Sequence, residues 1–331
     1  HNGLADLQAG ILRTPVSAEQ SFDDDPLRML RAARFASQLG FDVDLEVMEA
    51  MEQMAQRLEI VSAERIRSEL ERLLLSPYPR RGLELLVHTG ICDIVLPEVS
   101  ALQDTVDEHR RHKDVYEHTL TVLQQAMDLE TGPDGAVPGP DLRLRLAALM
   151  HDIGKPATRR FMPDGTVTFH AHDYVGARMT AKRMRALHFD KQTIKDVSRL
   201  VELHLRFHGY ADSPWSDSAV RRYVTDAGPL LARLGCLTRA DVTTGNRRKA
   251  AMLSHAYDDL ERRIEALRQQ EELAAIRPEL DGQEIMAELG IKPGPEVGKA
   301  YKFLLDLRME RGPIGKELAR EALHSWWATQ Q

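Results

Sequence analysis

Leu146-Ala147-Ala148-Leu149-Met150-His151-Asp152-Ile153-Gly154-Lys155-Pro156 is the stretch on which the reading of this chain turns. Its first five residues offer no polar face, which is the composition of a helix buried on all sides. An imidazole and a carboxylate then follow side by side. Burying both is costly unless something compensates, and a metal ion is the simplest compensation. Imidazole nitrogen with carboxylate oxygen suits Mn, Fe, Ni, Zn or Mg. Gly154 lets the backbone turn, and Lys155 stands ready for a phosphate. A His-Asp dipeptide alone is common by chance, so its weight comes from its surroundings.

Those surroundings are bounded by composition. At 331 residues with 43% hydrophobic content, the chain can bury a sizeable core and is expected to form two or three packed units. Abundant Ala, Leu, Arg and Glu with few aromatics favour an all-α fold. Cys92 and Cys236 sit far apart in apolar contexts and read as reduced thiols of a cytoplasmic protein. No apolar run reaches membrane-spanning length and no signal peptide opens the chain, so no membrane partner is expected. The opening His1-Asn2-Gly3 reads as the interior of a longer protein. A formal charge of −7 argues against general coating of nucleic acid while leaving room for a local basic surface.

In chain order, residues 4–16 alternate weakly and read as the one strand. Asp25-Pro26 reads as an N-cap with proline at the first helical position, Leu27, Leu30, Ala33 and Leu39 forming a buried face. The functional alternative is that Asp25 and Arg28, three apart on one turn, together offer an acceptor and donors to the edge of a base. Asp42-Val43-Asp44 has the lettering of a carboxylate pair, but Asp44 is better explained as the cap of a helix over 45–57. Further helices are expected at 63–75 and 79–89. Arg65, Arg67, Arg72, Arg80 and Arg81 read equally as solvated faces or as a basic surface for RNA backbone.

Three segments here resemble the bacterial CCA-adding tRNA nucleotidyltransferase and poly(A) polymerase family. They are Gly3-Leu4-Ala5-Asp6-Leu7 with Ile11-Leu12-Arg13, Asp24-Asp25-Pro26-Leu27-Arg28 with Arg31-Ala32-Ala33-Arg34-Phe35, and Ser62-Ala63-Glu64-Arg65-Ile66-Arg67-Ser68-Glu69-Leu70. The resemblance implies a short β remnant of a catalytic head over 1–20 and a neck and body over 21–105. It implies that Asp25 and Arg28 pair with incoming CTP or ATP as a protein template, and that Arg31, Arg65 and Arg67 contact tRNA. Asp24 stands where the family motif usually opens with Glu. In the family the head supplies a Gly-Ser turn and a carboxylate pair holding two Mg ions, and no Gly-Ser dipeptide occurs in this sequence.

Beyond Gln103 the residue types change. Asp114-Val115-Tyr116-Glu117 reads as a capping box that puts His118 on the second turn of a helix. Thr131 to Pro140, rich in Gly and Pro, reads as a mobile surface loop. After His151 and Asp152 comes a short extended segment, Phe161 to Phe169, turning at Pro163-Asp164-Gly165. His170 and His172 follow, then His204 and Asp241, each on a helix. One histidine would be unremarkable, but the series His118, His151-Asp152, His172, His204, Asp241 resembles the His-Asp (HD) superfamily of metal-dependent phosphohydrolases. The resemblance implies an HD domain over 106–265 holding two metals. Asp152 would bridge them, with His118, His151 and Asp241 on the first and His172 and His204 on the second. It implies hydrolysis of 2′,3′-cyclic phosphates, nucleotides or RNA 3′ ends, with Lys155 meeting phosphoryl oxygens, while Arg159 and Arg160 read either as phosphate holders or as solvated side chains. His170 and His208 are the competitors of His172 and His204, and His109 and His112 read as surface residues.

Residues 266–331 form a helical tail that also resembles the family, with Lys299, Lys302, Arg308 and Arg311 available to tRNA and Trp326-Trp327 as packing residues. Two other readings are a free-standing HD nucleotidase that keeps the neck as scaffold, and a non-catalytic tRNA-binding module. Because phosphoryl transfer by two metals needs carboxylates at the reacting centre, this chain alone is expected to incorporate no labelled CTP or ATP into tRNA lacking its CCA end. Incorporation above background would refute that.

Overall fold

The computed structural model describes residues 3–103, 105, 115–207, 209–210, 213, 215–244, 246–271 and 276–330. Among these the chain is helical nearly throughout, and its strands are two-residue pieces. β1 (Ile11–Leu12) pairs in parallel with β2 (Asp42–Val43), and β3 (Arg160–Phe161) pairs antiparallel with β4 (Val167–Thr168). The strand expected over 4–16 is corrected: Gly3–Ala9 is a helix, α1, and only Ile11 and Leu12 extend. Alanine, leucine and glutamine favour helix there and no β-branched residue precedes Ile11. Gly10, at φ 68, stops the helix.

Contacts divide the chain into two compact units, one of residues 1–205 with 232–245, the other of 206–231 with 246–331. The first begins with α2 (Ala18–Asp24), α3 (Leu27–Leu39), α4 (Leu45–Met54), a 3-10 stretch (Ala55–Ile60), α5 (Ala63–Leu74) and α6 (Pro79–His88). Helix α3 buries Leu27, Leu30, Ala33 and Ala36, but leaves Leu39 exposed, and packs on α5 and α6. It starts one residue later than expected: Asp25 is extended and Pro26 holds the cap position. Asp25 Oδ1 nevertheless accepts from Leu27 N at 3.2 Å. Helices α3 and α6 approach so closely that a Cβ on Gly82 would stand 2.7 Å from the Ala33 carbonyl.

After α7 (Ile91–Val95) and α8 (Pro97–Ser100) come α9 (Val115–Asp128), α10 (Leu142–Met150), the short α11 (Lys155–Thr158), the β3–β4 hairpin, α12 (His172–Ala186) and α13 (Lys191–Leu203). Asp114, read as a cap, lies outside the described residues, as do His109, His112 and His208. Every residue of α10 from Leu144 to Met150 is buried, Arg145 included. Such an arginine needs full pairing. It donates to Leu74 O at 2.7 Å and Ser76 O at 2.9 Å at the end of α5, and grips Glu130 through Nε and Nη2 at 2.7 Å each. The 131–140 connection lies at the surface but is tied down: Thr131 N donates to Val137 O at 2.8 Å, and Val137 is buried.

The second unit holds α14 (Asp217–Ala227) and α16 (Arg247–Glu271), with Phe207 stacked on Tyr257 and Arg263 paired to Asp217 at 2.8 Å. Between them in sequence lies α15 (Leu231–Ala240). The tail, α17 (Gly282–Leu289), α18 (Pro295–Arg311) and α19 (Lys316–Ala328), closes on Leu280, Ile285, Leu304 and Leu323, with Trp326 stacked on Phe303 at 4.9 Å. Of the tail cations, Lys299 pairs with Glu296 at 3.0 Å and Arg308 with Glu279 at 3.4 Å.

Asp141 fixes the start of α10. Its Oδ1 accepts from Leu144 N at 2.8 Å, and Arg233 from α15 grips the same carboxylate at 2.9 and 2.6 Å. Burial works against the charged form, but Arg233 and the Leu144 N–H outweigh it, so the Asp141 carboxyl is lowered. A carboxylate lowered on folding stabilises above its ordinary pKa of 3.8 and loses that contribution as pH falls through its folded value. Asp141→Ala should therefore cost about 3 kcal/mol near neutral pH, and the gap to wild type should close under acid. Urea melts at both pH values read this out; a constant gap would contradict it.

Candidate metal centre

Helix ends place the imidazoles. The last carbonyls of a helix lack intrahelical partners. His151 stands at the C-cap of α10 and its Nδ1 meets Ala148 O at 2.8 Å; His204 stands at the C-cap of α13 and its Nδ1 meets Val201 O at 2.6 Å. His172 opens α12, and its Nδ1 meets Phe169 O at 2.8 Å. Ala171 before it holds φ 61, an uncommon conformation for a residue with a Cβ. A carbonyl has no proton to give, so each Nδ1 is the donor and each Nε2 is turned inward as a ligand atom. His118, on α9, has its Nδ1 3.0 Å from Thr243 Oγ1, a hydroxyl that can accept or donate, and this contact turns Nε2 toward the other ligand atoms.

Four ligand atoms meet from distant parts of the chain. His118 Nε2 lies 3.3 Å from His151 Nε2, 3.4 Å from Asp152 Oδ2 and 3.0 Å from Asp241 Oδ1. His151 Nε2 lies 3.2 Å from Asp152 Oδ2 and 3.5 Å from Asp241 Oδ1. Ligands about 2.1 Å from one ion stand roughly 3.0 to 3.4 Å apart at octahedral or tetrahedral angles, so the spacing fits a single cation. Asp152 Oδ1 faces the other way, 3.3 Å from His172 Nε2, and Asp152, His172 and His204 form a second group whose ligand atoms lie within 4.8 Å of one another. His151, Asp152, His172 and His204 are all buried. Nε2 of His172 and of His204 have no hydrogen-bond partner among the described residues.

The electrostatics agree with that geometry. Burial disfavours the His151 imidazolium, yet Asp152 and Asp241 outweigh it and push this histidine up to about 10. Burial also opposes the charged carboxylates, but the His151 charge on Asp152 and the His118 and His151 hydrogen bonds on Asp241 hold both well below the ordinary range. Burial, with His151 nearby, pulls His204 down to about 4. The cluster therefore favours a positive charge between its acceptors while keeping His204 neutral. Lys155 Nζ stands 2.8 Å from Asp152 Oδ2 and 5.7 Å above the Phe169 ring.

The remaining expected site residues lie on the body. Asp25 is held by Arg65 Nη2 at 3.1 and 3.0 Å, with Arg31 at 4.0 Å. Arg28 donates to Ser21 O at 3.2 Å and Ser21 Oγ at 3.1 Å. Arg31 also pairs with Glu69 at 3.5 Å, and Arg67 donates to the His188 carbonyl. Arg159 lies over the Phe161 ring at 5.5 Å. Asp44 caps α4 through Glu46 N at 3.1 Å. His170 is exposed, and it is His172 that joins the cluster. Thr243 and the three capped carbonyls escaped the sequence reading, although a histidine directly after an apolar helix end was the available signal for two of them.

Comparison with known proteins gives two family matches, the probable RNA and SrmB-binding site of polymerase A over residues 40–102 and the HD domain over 115–246. The A-adding tRNA nucleotidyltransferase of Deinococcus radiodurans is 35% identical over 99% of this chain and 74% of its own length. The CC-adding tRNA nucleotidyltransferase of Thermus thermophilus is 36% identical over 97% of this chain and 70% of its own length. In fold, the chain is similar to the Bacillus stearothermophilus CCA-adding enzyme solved with CTP, at TM-score 0.63 and 18% identity, covering 100% of this chain and 69% of that one.

Gly154 holds the two ligand groups together. A Cβ there would stand 2.1 Å from His172 O and 2.7 Å from Gly176 N, both main-chain atoms of α12 that cannot yield as a side chain would. Gly154→Ala should destabilise the protein by about 2 kcal/mol and draw His172 away from Asp152, lowering bound divalent metal by elemental analysis. A variant with unchanged melting temperature would show that the helices do not meet this closely.

Proposed function

Because this chain belongs to the bacterial tRNA nucleotidyltransferase family, we propose that it acts in building or repairing the tRNA 3′ CCA end from CTP and ATP. Two relatives over nearly the whole chain are named an A-adding and a CC-adding tRNA nucleotidyltransferase, each name covering one part of that end. In this reading residues 21–105 are the neck and body, 106–265 the HD domain and 266–331 the tail. Asp25 and Arg28 present a carboxylate and a guanidinium to the base edge, and Arg31, Arg65 and Arg67 serve tRNA. Polymerisation in this family depends on Mg. A cytoplasmic site of action agrees with two free thiols and with no helix among the described residues being long and apolar enough to cross a membrane.

The second activity is metal-dependent phosphoester hydrolysis. His118, His151, Asp241 and Asp152 Oδ2 would hold one divalent ion, and Asp152 Oδ1, His172 and His204 a second. When bound, the ions supply an acidified water and neutralise phosphoryl oxygens. The chain's own part is orientation. Carbonyls of Ala148, Phe169 and Val201 hold the Nδ1 side of three rings and Thr243 that of the fourth, which turns each Nε2 toward the ligand position. Lys155, partly solvent-accessible beside Asp152, presents its ammonium to an incoming phosphoryl oxygen. Substrates of this class are 2′,3′-cyclic phosphates, nucleotides and RNA 3′ ends.

The observation that carries the reading is the convergence of four ligand atoms, two nitrogens and two oxygens, at 3.0 to 3.5 Å. Asp152→Ala removes the group common to both ligand sets and should reduce divalent-dependent ring opening of 2′,3′-cyclic AMP to the monophosphate by more than about 100-fold. Calorimetric metal titration should show the same loss. Hydrolysis that survives in metal-stripped wild-type protein would defeat the assignment.

A further inference from the structure

The β3–β4 hairpin beside the metal centre carries apolar surface that the core does not use. Phe161 is 73% exposed and Met162 44% exposed, whereas Phe169 on the returning leg is 3% exposed. Tyr174, two residues past His172, is 57% exposed. Large apolar groups this open add little to folding, and an exposed ring on a segment anchored at a site marks a binding surface.

The hairpin is tied to the site at both ends. It leaves α11, whose first residue is Lys155, and returns to Phe169, whose carbonyl orients His172. In the register, Phe161 stands opposite Val167, two residues before Phe169. One rung across and two residues along place Phe161 on the order of 8 Å from Phe169, the reach from a nucleotide's phosphate to its base. The turn between the strands is braced: Asp164 Oδ1 accepts from Thr166 N at 2.9 Å and Thr166 Oγ1 at 2.7 Å. Arg159 lies over the Phe161 ring at 5.5 Å. Lys155, Arg159 and Arg160 against Asp164 give residues 155–168 a formal charge of +2, in a chain of −7. An exposed ring, a guanidinium and local positive charge are the elements of a stacking platform for a nucleobase joined to phosphate.

We propose that the β3–β4 hairpin is the base-binding lip of the metal centre, with Phe161 stacking on the base of the nucleotide whose phosphate enters the site. This rests on the phosphohydrolase reading and narrows its substrate class to nucleotides and RNA ends, as opposed to baseless phosphoesters.

Binding decides it without hydrolysis. In the full chain with Mg²⁺, Phe161→Trp adds a fluorophore, read as the difference from the parent's own tryptophans. AMP should quench it saturably, while ribose 5-phosphate and inorganic phosphate should leave it nearly unchanged. By calorimetry, Phe161→Ala should weaken AMP binding by about tenfold and leave ribose 5-phosphate binding unaltered, with an unchanged melting curve because the residue is exposed. Absence of quenching by AMP, equal quenching by ribose 5-phosphate, or undiminished AMP binding by Phe161→Ala would each overturn the proposal. If metal-dependent hydrolysis is present and only these effects are missing, the lip alone falls. If hydrolysis is missing and base-selective quenching is present, the lip stands and the phosphohydrolase reading falls.

Discussion

Asp152 is one buried carboxylate with obligations in two directions. Its Oδ2 lies within 3.4 Å of two imidazoles and 2.8 Å of Lys155, and its Oδ1 lies 3.3 Å from a third imidazole. Removing such a charge from water costs several kcal/mol unless countercharge is near. That requirement explains why α9, α10 and α12 each bring an imidazole, on the helix or directly after it, to the same place. The interior of this unit is organised around satisfying one acid.

The body reaches that place through Arg145. Its guanidinium joins the carbonyl end of α5 to Glu130 and to α10, the helix that ends at His151. Further along α5, Arg65 grips Asp25 and Glu69 pairs with Arg34 at 2.6 Å. One helix thus supports the proposed base-reading residue at one end and the helix that ends at His151 at the other.

Much of this was legible in the sequence because the informative residues are rare types in apolar settings. His151 and Asp152 follow an uninterrupted apolar turn, and His118 and His172 recur on separate helices, while His204 and Asp241, read as helical, stand directly after the ends of two more. The proline and glycine punctuation placed the helix starts to within a few residues. What stayed hidden depends on three dimensions. Residues 4–16 carry mixed propensities, and the partner that makes Ile11 and Leu12 a strand lies thirty residues on, at Asp42 and Val43. The reason for glycine at 154 lies in the α12 backbone, which no local reading reveals. Which of His170 and His172 turns inward was settled by the left-handed residue Ala171.

The imidazoles that finish helices α10 and α13 carry a corollary for proton traffic. With Nδ1 committed to a main-chain carbonyl and Nε2 aimed at the ion position, neither ring keeps a nitrogen with which to ferry a proton, and His172 is committed likewise. In the proposed hydrolysis these three rings would set where the substrate meets the ion and leave its hydrogen ions to others.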